Sequence, residues 1–191
     1  MSGNQKDAFT VWLTGLSGAG KTSIAQLLES YIRDHGSSVE VLDGGAVRKT
    51  VSSHGFSKDD RDQHVRHIGF TSNLLSRNGV IAIVAAISPY RAVRDEVRSW
   101  HGDRFVEVFL SCPVETLINR DARGLYKRAI AGEIPHFSGI SDPYEDPLHP
   151  QITIHTDRES KEQSARRILD WLIEGQYLPP LFSVVGGKGK G

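Results

Sequence analysis

The stretch "GLSGAGKT", residues 15–22, decides the predicted fold. It matches the phosphate-binding loop G-x-x-x-x-G-K-S/T and stands between the strand-like run "FTVWLTG" (9–15) and a helix predicted from about Thr22 to Asp34. Its glycines let consecutive backbone N–H groups turn toward phosphate oxygens, and the start of the helix adds positive potential. A glycine-rich turn without a ligand is the alternative interpretation. We expect a nucleotide to be bound by Gly15, Leu16, Ser17, Gly18, Ala19, Gly20, Lys21, Thr22 and Ser23.

Along the rest of the chain, apolar strand-like runs alternate with segments of helical period, which is typical of a parallel sheet covered on both faces. Further strands are predicted at 38–43, 80–88, 105–111 and 152–156, and further helices at 58–77, 89–100, 114–120 and 160–175. Ser57 and Asp60 form a predicted capping box for the helix that ends at Arg77. Residues 121–150 carry three glycines and four prolines among charged residues, so we expect a long mobile loop that acts as a lid.

The composition limits the classes of partner. Twenty-three basic residues balance 23 acidic ones over 191 residues, so no net charge draws the chain to nucleic acid or to an anionic membrane. Cys112 is the only cysteine, which excludes an intramolecular disulfide and fits a reducing compartment. The first residues lack the apolar segment of a signal peptide, and no run approaches the roughly 20 apolar residues of a membrane span. We expect one domain, located in the cytoplasm.

A second substrate is indicated by polar side chains that follow two other predicted strands. Asp43 and Ser88 stand at the carboxyl ends of the second and third strands, where ligands bind in open α/β sheets. Asp43 is the leading carboxylate for orienting a water molecule on Mg²⁺ or for accepting a proton from an attacking hydroxyl group. The alternative is that Asp43 caps a helix.

Arginine and aromatic side chains indicate the chemistry of that substrate. Arg48, Arg61 and Arg66 lie close in sequence to Phe56, and Phe137 stands further along the chain. A guanidinium group pairs with phosphate or sulfate oxygens, and an aromatic ring stacks on a flat ring. These residues favour a substrate with anionic groups and an aromatic ring, although arginines on helices mostly lie on solvated faces.

Six segments stand in a characteristic order: "VWLTGLSGAGKT", "LDG..VR", "GFSKDDR", "R.IG", "AAISPYRAVRD" and "RDARGLYKRAIAGEIPHFSGISDPYE". In them the chain resembles the adenylylsulfate kinases, which use ATP to phosphorylate the 3′-hydroxyl of adenosine 5′-phosphosulfate. The resemblance covers about residues 9–175. It implies a P-loop NTPase-type, three-layer α/β/α fold with a five-stranded parallel sheet and a lid at about 121–150, between a flexible N-terminal tail (1–8) and a C-terminal tail (176–191).

The resemblance also implies roles for single residues. Lys21, Asp43 and Ser88 are the expected catalytic residues, and ATP and Mg²⁺ are the expected cofactors. Thr22 and Asp43 are the expected metal ligands, and Arg120 is expected beside the ATP base. Members of the family have been given a phosphoserine intermediate at the position of Ser88. We expect direct in-line transfer, with Ser88 as a substrate contact, because two facing sites need no relay.

Phe56 and Phe137 are expected, from the same resemblance, to stack on the substrate's adenine. The resemblance further implies a homodimer, and an ATP sulfurylase is a possible partner. The expected substrate-binding residues are Asp43, Arg48, Phe56, Arg61, His64, Arg66, Ile87, Ser88, Leu125, Lys127 and Phe137.

Three positions depart from the family pattern. The family's Asp-Gly-Asp-x-x-Arg is replaced by Asp-Gly-Gly-Ala-Val-Arg at 43–48, so the second acid is missing at Gly45. His64 stands where the family usually has asparagine, and His67 where it usually has a second arginine. Three interpretations remain: an adenylylsulfate kinase of full or reduced activity, a P-loop kinase for another small alcohol, and a nucleotide-binding regulatory homologue without activity.

Overall fold

The first predicted strand, β1 (Thr10–Thr14), lies at the centre of a five-stranded parallel sheet. The structure is a computed structural model that describes residues 8–51, 55–121 and 123–179. The strand order is β2-β3-β1-β4-β5, and every neighbouring pair is parallel. The predicted five-stranded parallel sheet is therefore confirmed. Its other strands are β2 (Val39–Asp43), β3 (Ile81–Ala85), β4 (Phe105–Ser111) and β5 (Ile152–His155).

Helices cover both faces of the sheet and complete three layers. They are α1 (Lys21–Asp34), α2 (Gly44–Val51), α3 (Lys58–Arg77), α4 (Arg91–His101), α5 (Val114–Arg120), α6 (Leu125–Ile130) and α7 (Lys161–Glu174), with a 3₁₀ turn at Gly102–Arg104. Leu28 of α1 and Ile168 of α7 belong to one apolar core. On the other face, Ile68 of α3 and Val97 of α4 pack with Trp12 of β1. Burying side chains of this size stabilises the fold by about 1.5–3 kcal/mol each.

The starts of three helices show where local sequence signals predict a helix correctly and where they do not. Ser57 and Asp60 form the predicted capping box: the hydroxyl of Ser57 accepts from the Asp60 amide, and the Asp60 carboxylate accepts from the Ser57 amide. The prediction for α4 is wrong by two residues, since Pro89 and Tyr90 precede the helix instead of forming its first turn. The sequence does not predict α2, because two glycines at its start are poor helix formers.

The predicted lid region, residues 121–150, contains the short helix α6 and a tight turn near Phe137. The carbonyl of Phe137 accepts from the amides of Ile140, Ser141 and Asp142. Gly139 lies so close to the phosphate loop that a Cβ atom there would stand 2.8 Å from Cδ2 of Leu16. The region therefore lies over the loop, as a lid would, and its mobility stays a prediction.

The packed domain extends past the predicted boundary at residue 175. The ring of Tyr177 stacks on Trp171 and meets Phe9 edge-on, and Leu178 is buried in the core. Of the predicted tails, 1–8 and 176–191, residues 1–7 and 180–191 lie outside the described residues. Within the described ranges, no helix is both long enough and apolar enough to span a membrane.

Candidate active site

The phosphate loop joins β1 to α1 at the carboxyl edge of the sheet. A Cβ atom on Gly15 would stand 2.6 Å from the carbonyl oxygen of Leu110, so only glycine fits where the loop leaves the sheet. Gly20 has a φ of 91° immediately before α1, a conformation that glycine adopts at little cost. The loop therefore turns sharply into the helix, whose first amides face the phosphate position.

Lys21 is buried at the base of the loop. It is 9% exposed, although the sequence predicts an exposed phosphate ligand. Its Nζ donates to the carbonyl oxygens of Gly15 and Leu16 at 2.8 and 2.7 Å. Burial lowers the pKa of Lys21 to about 7, and the charge of Asp43 opposes part of this shift. A polyphosphate beside Lys21 would favour its charged form.

Asp43 divides its two carboxylate oxygens between two tasks. Oδ1 accepts from the amides of Gly45 and Ala46, at 2.9 and 3.0 Å, and so caps α2. Oδ2 accepts from the hydroxyl of Thr22 at 2.6 Å. Burial raises the pKa of Asp43, but the hydrogen bonds from Thr22, Ala46 and Gly45 and the charge of Lys21 outweigh it, so the pKa lies below its ordinary value. Asp43 therefore caps α2, as the alternative interpretation held, and also faces the phosphate loop through Thr22.

Thr22 and Asp43 fit a Mg²⁺ site of the type that uses few protein ligands. A hydroxyl oxygen and a carboxylate oxygen are ligands that Mg²⁺ prefers, and the ion takes its remaining ligands from phosphates and water. Among the described residues, no cluster of three His, Cys, Asp or Glu side chains could hold a metal by itself. A metal here would therefore depend on a nucleotide.

Ser88 is turned away from this site. It is 2% exposed, its hydroxyl accepts from Nε1 of Trp12 at 3.0 Å, and it donates to the hydroxyl of Thr14 at 3.0 Å. The Thr14 hydroxyl donates in turn to the carbonyl of Ile87 at 2.7 Å and also contacts the hydroxyl of Tyr144. The predicted catalytic and substrate roles of the Ser88 hydroxyl are not supported, because both of its hydrogen-bonding directions are used inside the protein.

Arg61 connects the two segments that carry the predicted aromatic pair. It is buried, and its Nε donates to the carbonyl of Phe56 at 2.9 Å. Its Nη1 donates to the hydroxyl of Ser138, the neighbour of Phe137. Arg48 lies over the ring of Phe56, with its Cζ 5.0 Å from the ring centre. The structure thus brings Arg48, Phe56, Arg61 and the lid turn to one place.

Arg66 does not belong to this group. Its guanidinium forms a forked ion pair with Glu96 of α4, with N–O distances of 2.8 to 3.0 Å, on the outer surface. Residues five positions apart on a helix point about 140° away from each other, so Arg61 and Arg66 cannot both face the site. In this structure Arg66 is therefore directed to Glu96, and its predicted substrate contact stays a prediction.

The base of the lid lies next to the phosphate loop. The carboxylate of Asp121 accepts from the amides of Leu125 and Lys127, at 2.8 and 3.0 Å, and so fixes the start of α6. Lys127 is exposed, and Leu125 is half-buried.

Arg120 donates to the carbonyl of Thr156 at 2.9 Å. It stands beside a cavity of about 450 Å³ at the ends of β4 and β5.

Two tyrosines that the sequence reasoning missed tie the lid to the loop. The hydroxyl of Tyr126 donates to the carbonyl of Ser17 at 2.8 Å, and the hydroxyl of Tyr144 lies 2.8 Å from that of Thr14. Burial raises the pKa of both tyrosines, so both stay neutral. Their positions inside "GLYKRA" and "DPYE", between lid glycines and prolines, were the available signal.

A phosphate loop, a carboxylate at the end of the next strand and a lid above them define a P-loop kinase. The family model described as adenylylsulphate kinase matches residues 7–155. The adenylyl-sulfate kinase of Rippkaea orientalis is 54% identical over 175 residues, which are 91% of this chain and 96% of that protein. The chain belongs to the adenylylsulphate kinase family and is a kinase.

Solved structures agree with this assignment. The Mycobacterium tuberculosis APS kinase in complex with AMPPNP and APS superposes with a TM-score of 0.83 and 39% identity, covering 87% of this chain and 98% of that one. A hexameric APS kinase from Thiobacillus denitrificans has a TM-score of 0.70 and 33% identity, and covers 91% of this chain and 30% of that one. These relatives do not favour the interpretation without enzyme activity.

Proposed function

We propose that the protein transfers the γ-phosphoryl group of ATP to the 3′-hydroxyl of adenosine 5′-phosphosulfate, giving ADP and 3′-phosphoadenylylsulfate. The observation that carries the proposal is that buried Arg61 joins the Phe56 segment to the lid turn at the same sheet edge as the Thr22–Asp43 pair. A relative whose solved structure holds AMPPNP and APS supports it.

The nucleotide half of the site is the phosphate loop with Lys21. Loop amides bind the phosphates, and the Lys21 ammonium moves from the carbonyls of Gly15 and Leu16 to the outer phosphates. A Mg²⁺ ion held by Thr22 and Asp43 would supply charge neutralisation between the phosphates. Arg120 lies beside the ATP base.

The acceptor half consists of aromatic rings and guanidinium groups. Phe56 and Phe137 stack on the adenine, while Arg48 and Arg61 pair with the phosphosulfate oxygens or the adjacent backbone. Lys127 on the lid adds positive charge. The remaining expected contacts, Leu125 and Ile87, stay predictions.

The transfer itself is a direct displacement. The 3′-hydroxyl oxygen attacks the γ-phosphorus while the bond to the β,γ-bridging oxygen breaks, and ADP leaves. Asp43 is ionised at neutral pH because its pKa is held low, so it accepts the hydroxyl proton directly or through water. No phosphoserine is needed, and the inward-facing Ser88 hydroxyl argues against one.

An ADP-release assay with and without adenosine 5′-phosphosulfate tests this function. ADP release that requires the substrate, with 3′-phosphoadenylylsulfate as product, supports the proposal. ADP release only with another alcohol would favour the alternative kinase, and ATP binding without any ADP release would overturn both.

The expected homodimer would form through the outer face of α3. Phe70 and Leu74 are 61% and 41% exposed there, beside the exposed Trp100 of α4. Asp59 and Arg77 stand near opposite ends of this face, and the side chain of neither makes an ion pair or hydrogen bond within residues 8–51, 55–121 and 123–179. An antiparallel second copy would bring Asp59 next to Arg77 of the partner subunit.

Molar mass measured by light scattering tests this interface. Phe70→Glu should give monomers, while Leu148→Glu, a change outside α3 and α4 at a residue that is 68% exposed, should not. Arg77→Glu should weaken the dimer and Asp59→Arg with Arg77→Glu should restore it. An unchanged mass for Phe70→Glu would contradict the proposal. The cytoplasmic location and an association with ATP sulfurylase stay predictions.

A further inference from the structure

His64 points at the peptide that follows Asp43. It lies on the inner face of α3 and is 5% exposed, and its Nε2 is 2.9 Å from the carbonyl oxygen of Gly44. A carbonyl oxygen can only accept, so Nε2 carries a proton and donates it. The sequence predicts a substrate contact for His64, whereas this nitrogen is directed into the protein.

The carbonyl group of Gly44 that His64 contacts belongs to a peptide unit that also contacts Asp43. The carbonyl of Gly44 and the amide of Gly45 belong to one planar peptide unit. His64 binds the oxygen end of that unit, and Oδ1 of Asp43 accepts from its nitrogen end at 2.9 Å. Because the unit is rigid, fixing the direction of its oxygen fixes the direction of its N–H. His64 therefore acts on the Asp43 carboxylate through a single peptide.

Glycines flank this peptide on both sides, so local side chains add little to its restraint. Glycine has more backbone freedom than any other residue. Gly44 cannot be exchanged without strain, since a Cβ atom there would stand 3.2 Å from Cβ of Ala86 and 3.3 Å from the carbonyl oxygen of Ala85. At Gly45, no side chain is present to restrain the turn. The hydrogen bond from His64 adds to the restraint that the hydrogen bonds of α2 and the Asp43 cap supply.

We propose that His64 is a positioning residue for the metal-facing carboxylate. By holding the Gly44–Gly45 peptide, it keeps Oδ1 of Asp43 on the α2 amides and leaves Oδ2 facing the hydroxyl of Thr22. This inference rests on the proposed metal role of Thr22 and Asp43. It departs from the substrate contact that the sequence predicts for His64, and the two assign different consequences to the same substitution.

Two variants remove the donor by different routes. His64→Asn shortens the side chain so that it no longer reaches the Gly44 carbonyl, and His64→Phe keeps an aromatic ring without a donor. We expect each to weaken Mn²⁺ binding to the protein–ADP complex, measured by electron paramagnetic resonance, by about 10- to 100-fold, the range for residues that orient metal ligands. The Mg²⁺ concentration for half-maximal turnover should rise in parallel, with an unchanged KM for adenosine 5′-phosphosulfate.

His64→Gln and His101→Leu are the matched controls. Glutamine can place an N–H near the position of Nε2, so His64→Gln should recover most of the Mn²⁺ affinity. His101 is another buried histidine bonded to a backbone carbonyl, that of Val97 at 2.8 Å, but it lies on α4 against Ser72. His101→Leu should lower the melting temperature and leave Mn²⁺ binding unchanged.

If His64 instead contacted the substrate, the effects on Mn²⁺ binding and on KM would be reversed. In that case His64→Asn and His64→Phe would change the KM for adenosine 5′-phosphosulfate and leave Mn²⁺ binding at its wild-type value, which would overturn the inference. The proposed function fails separately, if the wild-type protein does not phosphorylate adenosine 5′-phosphosulfate, because Mn²⁺ binding to the ADP complex is measured without that substrate.

Discussion

The hydroxyl of Thr22 donates a 2.6 Å hydrogen bond to Oδ2 of Asp43, which joins the first turn of α1 to the end of β2. The two residues are 21 positions apart in sequence, and the parallel sheet brings them together because β2 and β1 both end at the same edge. The contact places two oxygen ligands beside the phosphate loop. The two proposed Mg²⁺ ligands are thus brought together by the fold itself.

Thr22→Val tests this pair, since valine has nearly the same shape and no hydroxyl. Loss of a direct ligand should weaken Mn²⁺ binding to the ADP complex by at least about 10-fold, the lower end for residues that only orient ligands. Thr22→Ser keeps the hydroxyl and should stay close to wild type. Equal Mn²⁺ affinities in the valine and serine variants would show that Thr22 is no ligand.

Lys21 should make nucleotide binding depend on pH. Burial lowers its pKa to about 7, so at pH 8 the free protein holds it mostly neutral, while bound phosphates favour the ammonium form. ATP binding at pH 8 should therefore take up close to one proton, and affinity should fall as pH rises above about 7. Calorimetry in buffers of different ionisation enthalpy measures this uptake.

Lys21→Arg is the control for that measurement, because a guanidinium group stays charged throughout this range. Proton uptake by residue 21 at pH 8 should be absent in this variant. Any uptake that remains comes from ATP itself and can be subtracted from the wild-type value. Equal uptake in the wild-type and Lys21→Arg proteins would mean that Lys21 is already charged in the free protein.

The strands, the phosphate loop and the capped helix α3 could be predicted because their signals are local in sequence. The helix α2 could not, since Gly44 and Gly45 oppose a helix and the Asp43 cap was only one of two interpretations. The ion pair of Arg66 with Glu96 was not predicted, although the helix that carries Arg66 was. Arg66 follows Arg61 by five positions, so the two side chains point about 140° apart around α3. This separation could have been read from the sequence alone.

The unexpected direction of the Ser88 hydroxyl has a different cause. Its position at the end of β3 is as expected, but the direction of its hydroxyl depends on the indole of Trp12, 76 residues away. Such a hydrogen bond between distant residues leaves no local pattern. The partners of Tyr126 and Tyr144 are equally distant, in the phosphate loop and in β1, so their lid segments indicated a role but not these contacts.

Ser88→Ala separates a structural role from a covalent one. The variant should lose about 1–3 kcal/mol of stability, because it leaves the buried indole N–H of Trp12 without its acceptor. Turnover per folded molecule should stay within about tenfold of wild type, a change of about 1.4 kcal/mol in the barrier. Complete loss of turnover in a folded variant, with phosphoserine detected by mass spectrometry in the wild type, would establish the covalent role.

The two phenylalanines should respond differently to truncation. Phe56 is 54% exposed, so Phe56→Ala should weaken binding of adenosine 5′-phosphosulfate by about 1–3 kcal/mol, the usual contribution of base stacking, with little change in melting temperature. Phe137 packs edge-on against Tyr126 at 5.0 Å, so Phe137→Ala should lower both binding and melting temperature. Calorimetric titrations with the substrate and with ATP measure this, and ATP affinity should be unaffected in both variants.

Gly45→Asp would restore the acid that the family pattern has at this position. Gly45 lies in the first turn of α2 and is not among the glycines with positive φ, so the backbone there accepts an aspartate. A carboxylate at a helix start is also stabilised by about 0.3–1 kcal/mol. The new Cβ atom would stand 3.1 Å from Oδ1 of Asp43, so the Asp43 side chain must shift by a small amount. Melting temperature should therefore change little.

The rate of the Gly45→Asp protein decides whether Asp43 is sufficient for proton transfer. If a second carboxylate accepts the proton of the 3′-hydroxyl, turnover should rise by up to about 10²–10⁴-fold, the range of general base catalysis. Gly45→Asn provides the control, because it has the same size without the charge and should leave turnover unchanged. Two neighbouring carboxylates raise the pKa of one of them, so the gain in the Asp variant should grow with pH as that group ionises. A stable Gly45→Asp protein with wild-type turnover at every pH would show that Asp43, held by the α2 amides and Thr22, already performs this step alone.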